Sequence, residues 1–380
     1  MGLGGGFEYG TVKSMKISVM IPVYKEPELL GDIIRKISAD NYPDKEIMVA
    51  VDGDSTSKIE DVLDKYRGKI RIFYNNGRWG KVNTLNRLSD EARGEAFLFL
   101  DNDIKLPDDI DFLDKVSREL TKSDIVELPK EAIVTNLFSK IVSYDFLGAA
   151  VMCFIVARTF ETNFFLNGAA FAIKRKTFED LERFPRVINE DWQLMMKAFR
   201  IKKRYSFPPD LKVGTVAPTN FTEWVEQRKR WVLGIKSWLT EIMQGLKKYI
   251  GGMPIILSMI LLFSIPNLVA LALWKFKFFS TALPALILLF QHLCGNFGLP
   301  SFVYSLLMML ILLQGVGPFL VSLSISTAVF FIFSRILKFR FNIFEFLLYS
   351  TIYFPILALV YVVYGIILSP LSKPKIDWAC

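Results

Sequence analysis

Residues 16–100 repeat one unit, a short apolar or β-branched run followed by a segment whose apolar residues have helical spacing. ISVMIPVY precedes PELLGDIIRKI, EIMVAVDGDS precedes IEDVLDKYR, IRIFYN precedes NTLNRLSDEA, and FLFL at 97–100 opens the next unit. Strands alternating with helices of about ten residues join through right-handed crossovers and predict a mostly parallel, doubly wound sheet. Ligands of such sheets collect beyond the carboxyl ends of the strands. Polar clusters stand where those ends fall: Asp52, Gly53, Asp54 and Ser55 after the second strand, and Asp101, Asn102 and Asp103 after FLFL.

Two Asp at i, i+2 on a turning chain can aim their oxygens to one side. Such a pair suits a hard divalent cation that keeps some waters and binds phosphate oxygens. An Asx-rich turn after a strand would look the same.

The rest of the chain is of another kind. After Lys248 the remaining 132 residues hold seven Lys or Arg and two Asp or Glu, so five of the eight net positive charges lie there. They flank apolar segments, where cationic anchors of a membrane domain belong, and so do not mark a nucleic-acid partner. Apolar blocks cover residues 251–274, 278–296, 302–337 and 343–368. The third is too long for one span, and Gly315, Val316, Gly317 and Pro318 are expected to break it. Five spans place Arg335, Lys338 and Arg340 on the side of the front domain, in keeping with the positive-inside tendency, and four place them opposite. The Gly-rich residues 1–15 are expected to be disordered, neither signal peptide nor anchor, and 371–380 a tail. Cys153, Cys294 and Cys380 are isolated in sequence, and the single His292 lies in an apolar run, so neither thiol–metal nor histidine chemistry is indicated.

Between these halves, apolar residues 146–157 are too few to span a bilayer and read as a buried or interfacial helix. NFFLNGAAFAIKR reads as a strand, and its small residues Gly168, Ala169 and Ala170 suggest close approach of a ligand or backbone. INEDWQLMMKAFR reads as a helix whose acids, Glu190 and Asp191, suit a first turn. From 222 to 249 Trp224, Trp231 and Trp238 recur every seven residues among Lys and Arg, the profile of a helix lying in the membrane interface. Gln227, Arg230 and Trp231, at i, i+3 and i+4, share one face of it.

Taken in order, IPVYKE at 21–26, VDGDS at 51–55, GKVNTLN at 80–86, DND at 101–103, NGAAFAIKR at 167–175, NED at 189–191 and QRKRW at 227–231 resemble glycosyltransferase family 2. The likeness is to its membrane branch, which includes cellulose, chitin and hyaluronan synthases and ceramide glucosyltransferase. It covers residues 16–248. It departs from the family in VDGDS, where D-D-G-S is frequent, and in Thr84, where the family has Ala.

The resemblance implies an α/β GT-A domain at 16–221, the interfacial helix at 222–249 and α-helical membrane spans, four or five, within 250–370. It implies an inverting hexosyltransferase with a nucleotide-diphosphate sugar donor, a UDP-hexose by preference, and Mg²⁺ or Mn²⁺ as cofactor. Pro22, Tyr24, Glu26, Asp52, Lys81 and Asp101 would bind the donor, and Asp103 with Asp101 the metal. Asp191 would be the general base and Arg230 would stabilise the departing diphosphate. Gly168, Gln227 and Trp231 would meet the acceptor, expected to be a membrane lipid or lipid-linked glycan. Polysaccharide synthesis by a homo-oligomer is the alternative. The expected location is the cell membrane, with the catalytic domain cytoplasmic. A transporter fits poorly, because the apolar blocks contain almost no ionisable residues. A membrane-anchored nucleotide-sugar-binding protein without catalysis would not need Asp191 or the QRKRW face.

Overall fold

The computed structural model describes residues 15–187, 189–244, 250–252, 254–255 and 301–364. The expected disordered start, the block at 278–296, most of that at 251–274, His292, Cys294 and the tail lie outside the described residues.

The centre is a GT-A-like α/β fold around a seven-stranded sheet of order β3-β2-β1-β4-β8-β6-β9. β1 (Ile17–Val23), β2 (Lys45–Val51), β3 (Arg71–Tyr74) and β4 (Ala96–Leu100) pair in parallel. The near-continuous apolar runs of β1, β2 and β4 are buried because helices cover both faces, while β3, at the sheet edge, is only half-buried. α1 (Leu30–Ala39) shows how: Leu30, Ile33, Ile34 and Ile37 form one buried stripe. α2 (Ser57–Lys65) starts at Thr56, whose hydroxyl caps the Ile59 amide. α3 (Lys81–Glu91) follows β3, and α4 (Phe112–Lys122) leads into β6 (Ile125–Glu127).

Beyond the crossover units the sheet changes direction. β8 (Ala170–Lys174) is antiparallel to both β4 and β6, while β9 (Tyr205–Ser206) is parallel to β6. A second sheet of order β5-β10-β7 joins β5 (Ile104–Lys105), β10 (Val213–Val216) and β7 (Lys130–Ile133).

β1 stays in register with β2 as far as Val23 but leaves β4 after the Met20–Phe99 pair. Pro22, which has no amide hydrogen to donate, is tolerated in this strand because it lies past that divergence. The parting of β1 and β4 is also where the strand order switches direction, so a crevice opens at their carboxyl ends.

The apolar stretch at 146–157 is the centre of a much longer helix, α5 (Leu137–Phe160), of 24 residues. Polar residues in its first turns hide that length in the sequence, and Asn136 and Ser139 close its start as a reciprocal capping box. α6 (Arg175–Asp180) and α7 (Glu190–Arg200) come next, and α8 (Phe221–Gln244) carries QRKRW. α9 (Ser301–Ile336) is one continuous helix of 36 residues. The break expected at Gly315–Val316–Gly317–Pro318 is therefore absent. Helix propensity is a local preference, and a helix of this length can carry one Pro where surrounding turns hold it. α10 (Ile343–Leu348), a π-helical turn at Tyr349–Tyr353 and α11 (Phe354–Val362) form the last helical stretch among the described residues.

Three helical segments among the described residues are long and apolar enough to cross a membrane: Leu137–Phe160, Phe319–Ile336 and Ile343–Tyr361. Within the protein 56% of the first is buried, against 11% and 17% of the other two, so α5 belongs largely to the core.

Candidate active site

The acidic tripeptide after β4 sits in the crevice, and each of its residues has a different task. Asn102 is structural: its side-chain amide donates to the Glu26 carbonyl at 2.6 Å, and its carbonyl accepts from the Leu29 amide at 2.8 Å. These bonds hold the loop after β1 against the tip of β4. Asp101 faces Lys81, whose Nζ lies 2.6 Å from Oδ1 and 2.8 Å from Oδ2. Asp103 is different again, because its Oδ1 is buried and has no hydrogen-bond partner. Burial, helped by the nearby Asp101 charge and opposed by Lys81, pushes its carboxyl up to about 6.

Lys81 is placed by Asp52. Lys81 is the first residue of α3, after Gly80 at φ 81°, a conformation that favours glycine. The buried Asp52 carboxylate accepts from the Trp79 amide at 2.6 Å, the Gly80 amide at 2.9 Å and Asn75 Nδ2 at 3.1 Å. Asn75 in turn donates to Thr84 Oγ1 at 2.7 Å, which gives the Thr that stands for the family's Ala a definite partner. Burial lowers the Lys81 pKa, but Asp101, Glu190 and Asp191 outweigh it and raise it overall. The ammonium is thus the shared counter-charge of two acidic clusters far apart in sequence.

The second cluster opens α7. Asp191 Oδ2 accepts from the Gly168 amide at 2.7 Å, and Oδ1 from its own neighbour Trp192 at 2.8 Å. Each oxygen keeps lone-pair capacity for a further donor. Burial raises the pKa of Asp191, and the two amides and Lys81 draw it back. Glu190 is raised as well, by burial and then by the Asp191 charge. Two adjacent acids in a half-buried place resist holding two negative charges at once.

α8 closes the crevice from the side of α7. Asn189 Nδ2 donates to the Gly234 carbonyl at 3.3 Å. Gln227, Arg230, Trp231 and Gly234 lie at i, i+3, i+4 and i+7, so the face carrying the first three is turned toward α7. Arg230 and Trp231 are exposed on it, while Gln227 Oε1 is buried without a partner, as is Asn189 Oδ1. The tryptophans expected at headgroup depth have diverse surroundings. Trp224 is buried against Phe138, Phe221 and Tyr353, and Trp238 meets Trp192 edge-on and donates to the Phe164 carbonyl.

On the other side of Lys81, Tyr24 stands beside Gly53, with the Arg78 guanidinium 4.4 Å from its ring centroid. Pro22 is half-buried at the end of β1, Glu26 is exposed and paired with Lys58 at 3.0 Å, and Asp54 is exposed. The sequence pointed neither to Arg78 nor to Asn75. Asn75 had one available signal, a lone amide directly after a strand, but its partners Asp52 and Thr84 appear only in the fold.

Among the described residues no three His, Cys, Asp or Glu gather as a metal set. A magnesium-type cation asks for less, one or two carboxylates with substrate phosphates and water. The unpartnered Asp103 Oδ1 beside Asp101 fits that demand, because a cation would satisfy a buried oxygen and relieve the repulsion between two acids.

Residues 15–234 match the protein-family model described as glycosyltransferase like family 2. The chain belongs to that family. Over 229 residues it is 23% identical to the poly-beta-1,6-N-acetyl-D-glucosamine synthase of Staphylococcus epidermidis, covering 57% of this chain and 54% of that protein. Over 94 residues it is 34% identical to the GalNAc(5)-diNAcBac-PP-undecaprenol beta-1,3-glucosyltransferase of Campylobacter jejuni, covering 24% and 30%. The chain thus spans about half or less of the length of these curated family members. Among solved structures it is similar to the mannosyltransferase PcManGT from Pyrobaculum calidifontis in complex with GDP-Man and Mn2+. The TM-score there is 0.49 at 17% identity, over 81% of this chain and 88% of that one.

Proposed function

We propose that this protein is an inverting hexosyltransferase, moving a sugar from a nucleotide-diphosphate donor, a UDP-hexose by preference, to a lipid or lipid-linked glycan at the cell membrane. The observation that carries the reading is Lys81 at the head of α3: it bonds Asp101, and the nearby charges of Glu190 and Asp191 help raise its pKa. That crevice holds a cation for a diphosphate, a carboxylate pair for a metal, and a separate carboxylate with spare lone pairs.

Each residue then has a role. Tyr24 and Pro22 flank the base, with Glu26 at the rim. Asp52 acts on the donor chiefly through the loop that presents Lys81. Asp103 and Asp101 would hold Mg²⁺ or Mn²⁺, which when bound neutralises charge on the departing diphosphate. Lys81 exchanges part of its bond to Asp101 for the diphosphate, and Arg230 offers a second cation from α8. Asp191, held by the Gly168 amide, takes the proton of the attacking acceptor hydroxyl. That hydroxyl adds to the anomeric carbon opposite the leaving group, so the configuration inverts. Trp231 gives the acceptor a flat apolar surface, and Gln227 Oε1 a buried acceptor atom for one of its hydroxyls.

Two further observations support a membrane setting. Phe319–Ile336 and Ile343–Tyr361 carry apolar surface outward. The loop between them, with Lys338 and Arg340, lies on the catalytic domain, and cationic loops favour the cytoplasmic side. A second reading, synthesis of a polysaccharide by an oligomer, is favoured by the name and the extent of the staphylococcal match. Membranes given radiolabelled UDP-sugars with Mn²⁺ should yield organic-extractable product, lost with a chelator. Long, water-soluble product absent from the organic phase would support the polysaccharide reading instead.

A further inference from the structure

Arg228, and not Arg230, is the arginine of QRKRW that the fold buries, at 1% exposure. Its Nη2 lies 2.6 Å from Asp145 Oδ2 of α5 and 3.3 Å from the Tyr353 hydroxyl, and its guanidinium carbon is 4.0 Å from the centroid of the Trp231 ring. The Tyr353 hydroxyl donates to Asp145 Oδ2 and accepts from Trp224 Nε1 at 2.5 Å. Tyr353 closes the π-helical turn of the last apolar helix. One buried knot therefore joins a core helix, the QRKRW helix and a helix that is apolar enough to cross a membrane.

A buried ion pair of this kind is a poor source of net stability, since desolvation offsets most of the attraction. It does specify geometry. The guanidinium is planar, and three groups fix its plane: a carboxylate, a hydroxyl and the indole stacked on it. A π-helical turn inserts one residue into a helix and re-aims the turns beyond it, and such turns recur at functional sites. Here it brings Tyr353 to Asp145 and Arg228 together.

We infer that Asp145, Arg228 and Tyr353 are positioning residues that let the last membrane helix set the orientation of the Trp231 ring, and so govern acceptor binding but not donor activation. This rests on the reading of Trp231 as an acceptor surface. Arg228 covers one face of the ring, and Trp231 is still 37% exposed. Fixing an exposed aromatic face in advance lowers the ordering cost that each acceptor molecule would otherwise meet.

The test uses the full chain in vesicles of total lipid from the producing cells, with a radiolabelled nucleotide sugar and Mn²⁺. Tyr353→Phe keeps the ring and removes the hydroxyl. It should leave donor hydrolysis in detergent within about two-fold of the parent, and raise the apparent KM for acceptor in the vesicles about ten-fold. Product is counted in both the organic and the aqueous fraction. Trp231→Phe should raise the same KM, and the double variant should be no worse than the poorer single one, since both changes interrupt one relay. Arg228→Lys, which keeps charge but loses the plane, should behave as Tyr353→Phe does, and it supplies the answer if Tyr353→Phe misfolds.

A KM unchanged in both Tyr353→Phe and Arg228→Lys overturns the inference even if Trp231→Phe raises it. So does strict additivity in the double variant. A KM unchanged in Trp231→Phe itself overturns the acceptor-surface reading, and the relay with it. A loss of donor hydrolysis that matches the loss of transfer would show a general structural role and also overturn the inference.

Discussion

Gly168 and Asp191 approach so closely that any side chain at 168 would displace Asp191. The Gly168 amide donates to Asp191 Oδ2, and a Cβ added at 168 would lie 2.9 Å from that same oxygen and from Asp191 Cβ. Gly168→Ala must therefore move the carboxylate while leaving its charge in place. Turnover is expected to fall on the order of a hundred-fold, as for displacements near 1 Å in an active site. Donor affinity, measured by calorimetry, should hold. Unaltered kcat in this variant would mean that Asp191 is not the base.

Asp191→Asn should bind donor as the parent does and lose transfer by about 10²–10⁴-fold, the usual contribution of a general base. Initial-rate measurements at saturating donor separate the two. Substantial residual transfer would point to Glu190.

Asp103→Asn allows a test that needs no turnover. The folded carboxyl stands at about 6, above the ordinary aspartate value of 3.8, so its ionised form is disfavoured by folding. Stability linked to it is fully present below about pH 4 and is lost as the pH rises through about 6. In chelator at pH 7.5 the Asn variant should then be more stable than the parent, by at most about 3 kcal/mol for a difference near two units. The advantage should fade toward pH 4. Adding Mn²⁺ should raise the melting temperature of the parent and leave that of the variant alone. An equal response of both to Mn²⁺ would remove Asp103 from the metal site.

Asp52→Ala removes the acceptor of two backbone amides and of Asn75, and the loop before α3 should lose its shape. The expected cost is about 2–3 kcal/mol of stability, since the bonds are to an ionised group. Donor affinity should fall for every nucleotide base, because Lys81 is misplaced. A loss confined to one base would make Asp52 a nucleoside contact and not a loop organiser.

If the helix at 343–361 crosses the membrane as proposed, a membrane-impermeant thiol reagent added to whole cells in a Cys294→Ser background should label Cys380, because that helix starts from the loop seated on the catalytic domain. Cys153 is buried and will not report. Labelling only after lysis would put both ends on one side.

The alternation of strands and helices and the acids at the tip of β4 were legible because each rests on local periodicity. The direction of β8 was not, since antiparallel pairing with β4 and β6 is decided by neighbours and not by the five residues themselves. The β5–β10–β7 sheet escaped because a two-residue strand such as β5 has no period to read. Helical spacing puts Gln227, Arg230 and Trp231 on one face of α8, yet it could not reveal Arg228, whose partner Asp145 stands 83 residues away. The tryptophan repeat suggested a headgroup belt for Trp224, which the fold instead buries against Tyr353.

The stretch between the last two apolar helices is seated on the small sheet and on α5. Lys338 pairs with Asp210 at 2.6 Å, the Arg340 amide donates to Glu131 at 2.7 Å, and Asn342 exchanges hydrogen bonds with the Tyr144 hydroxyl. A body hung from one stalk can pivot in any direction. This domain is held at two separate places, at α8, where Trp224 and Arg228 meet Tyr353, and along the 338–342 loop, and a second attachment restricts pivoting. The two attachments limit how far the crevice can tilt relative to the helices at 319–336 and 343–361, so on the proposed reading an acceptor in the bilayer would have to rise to it, and how far its headgroup projects would become a criterion of selection.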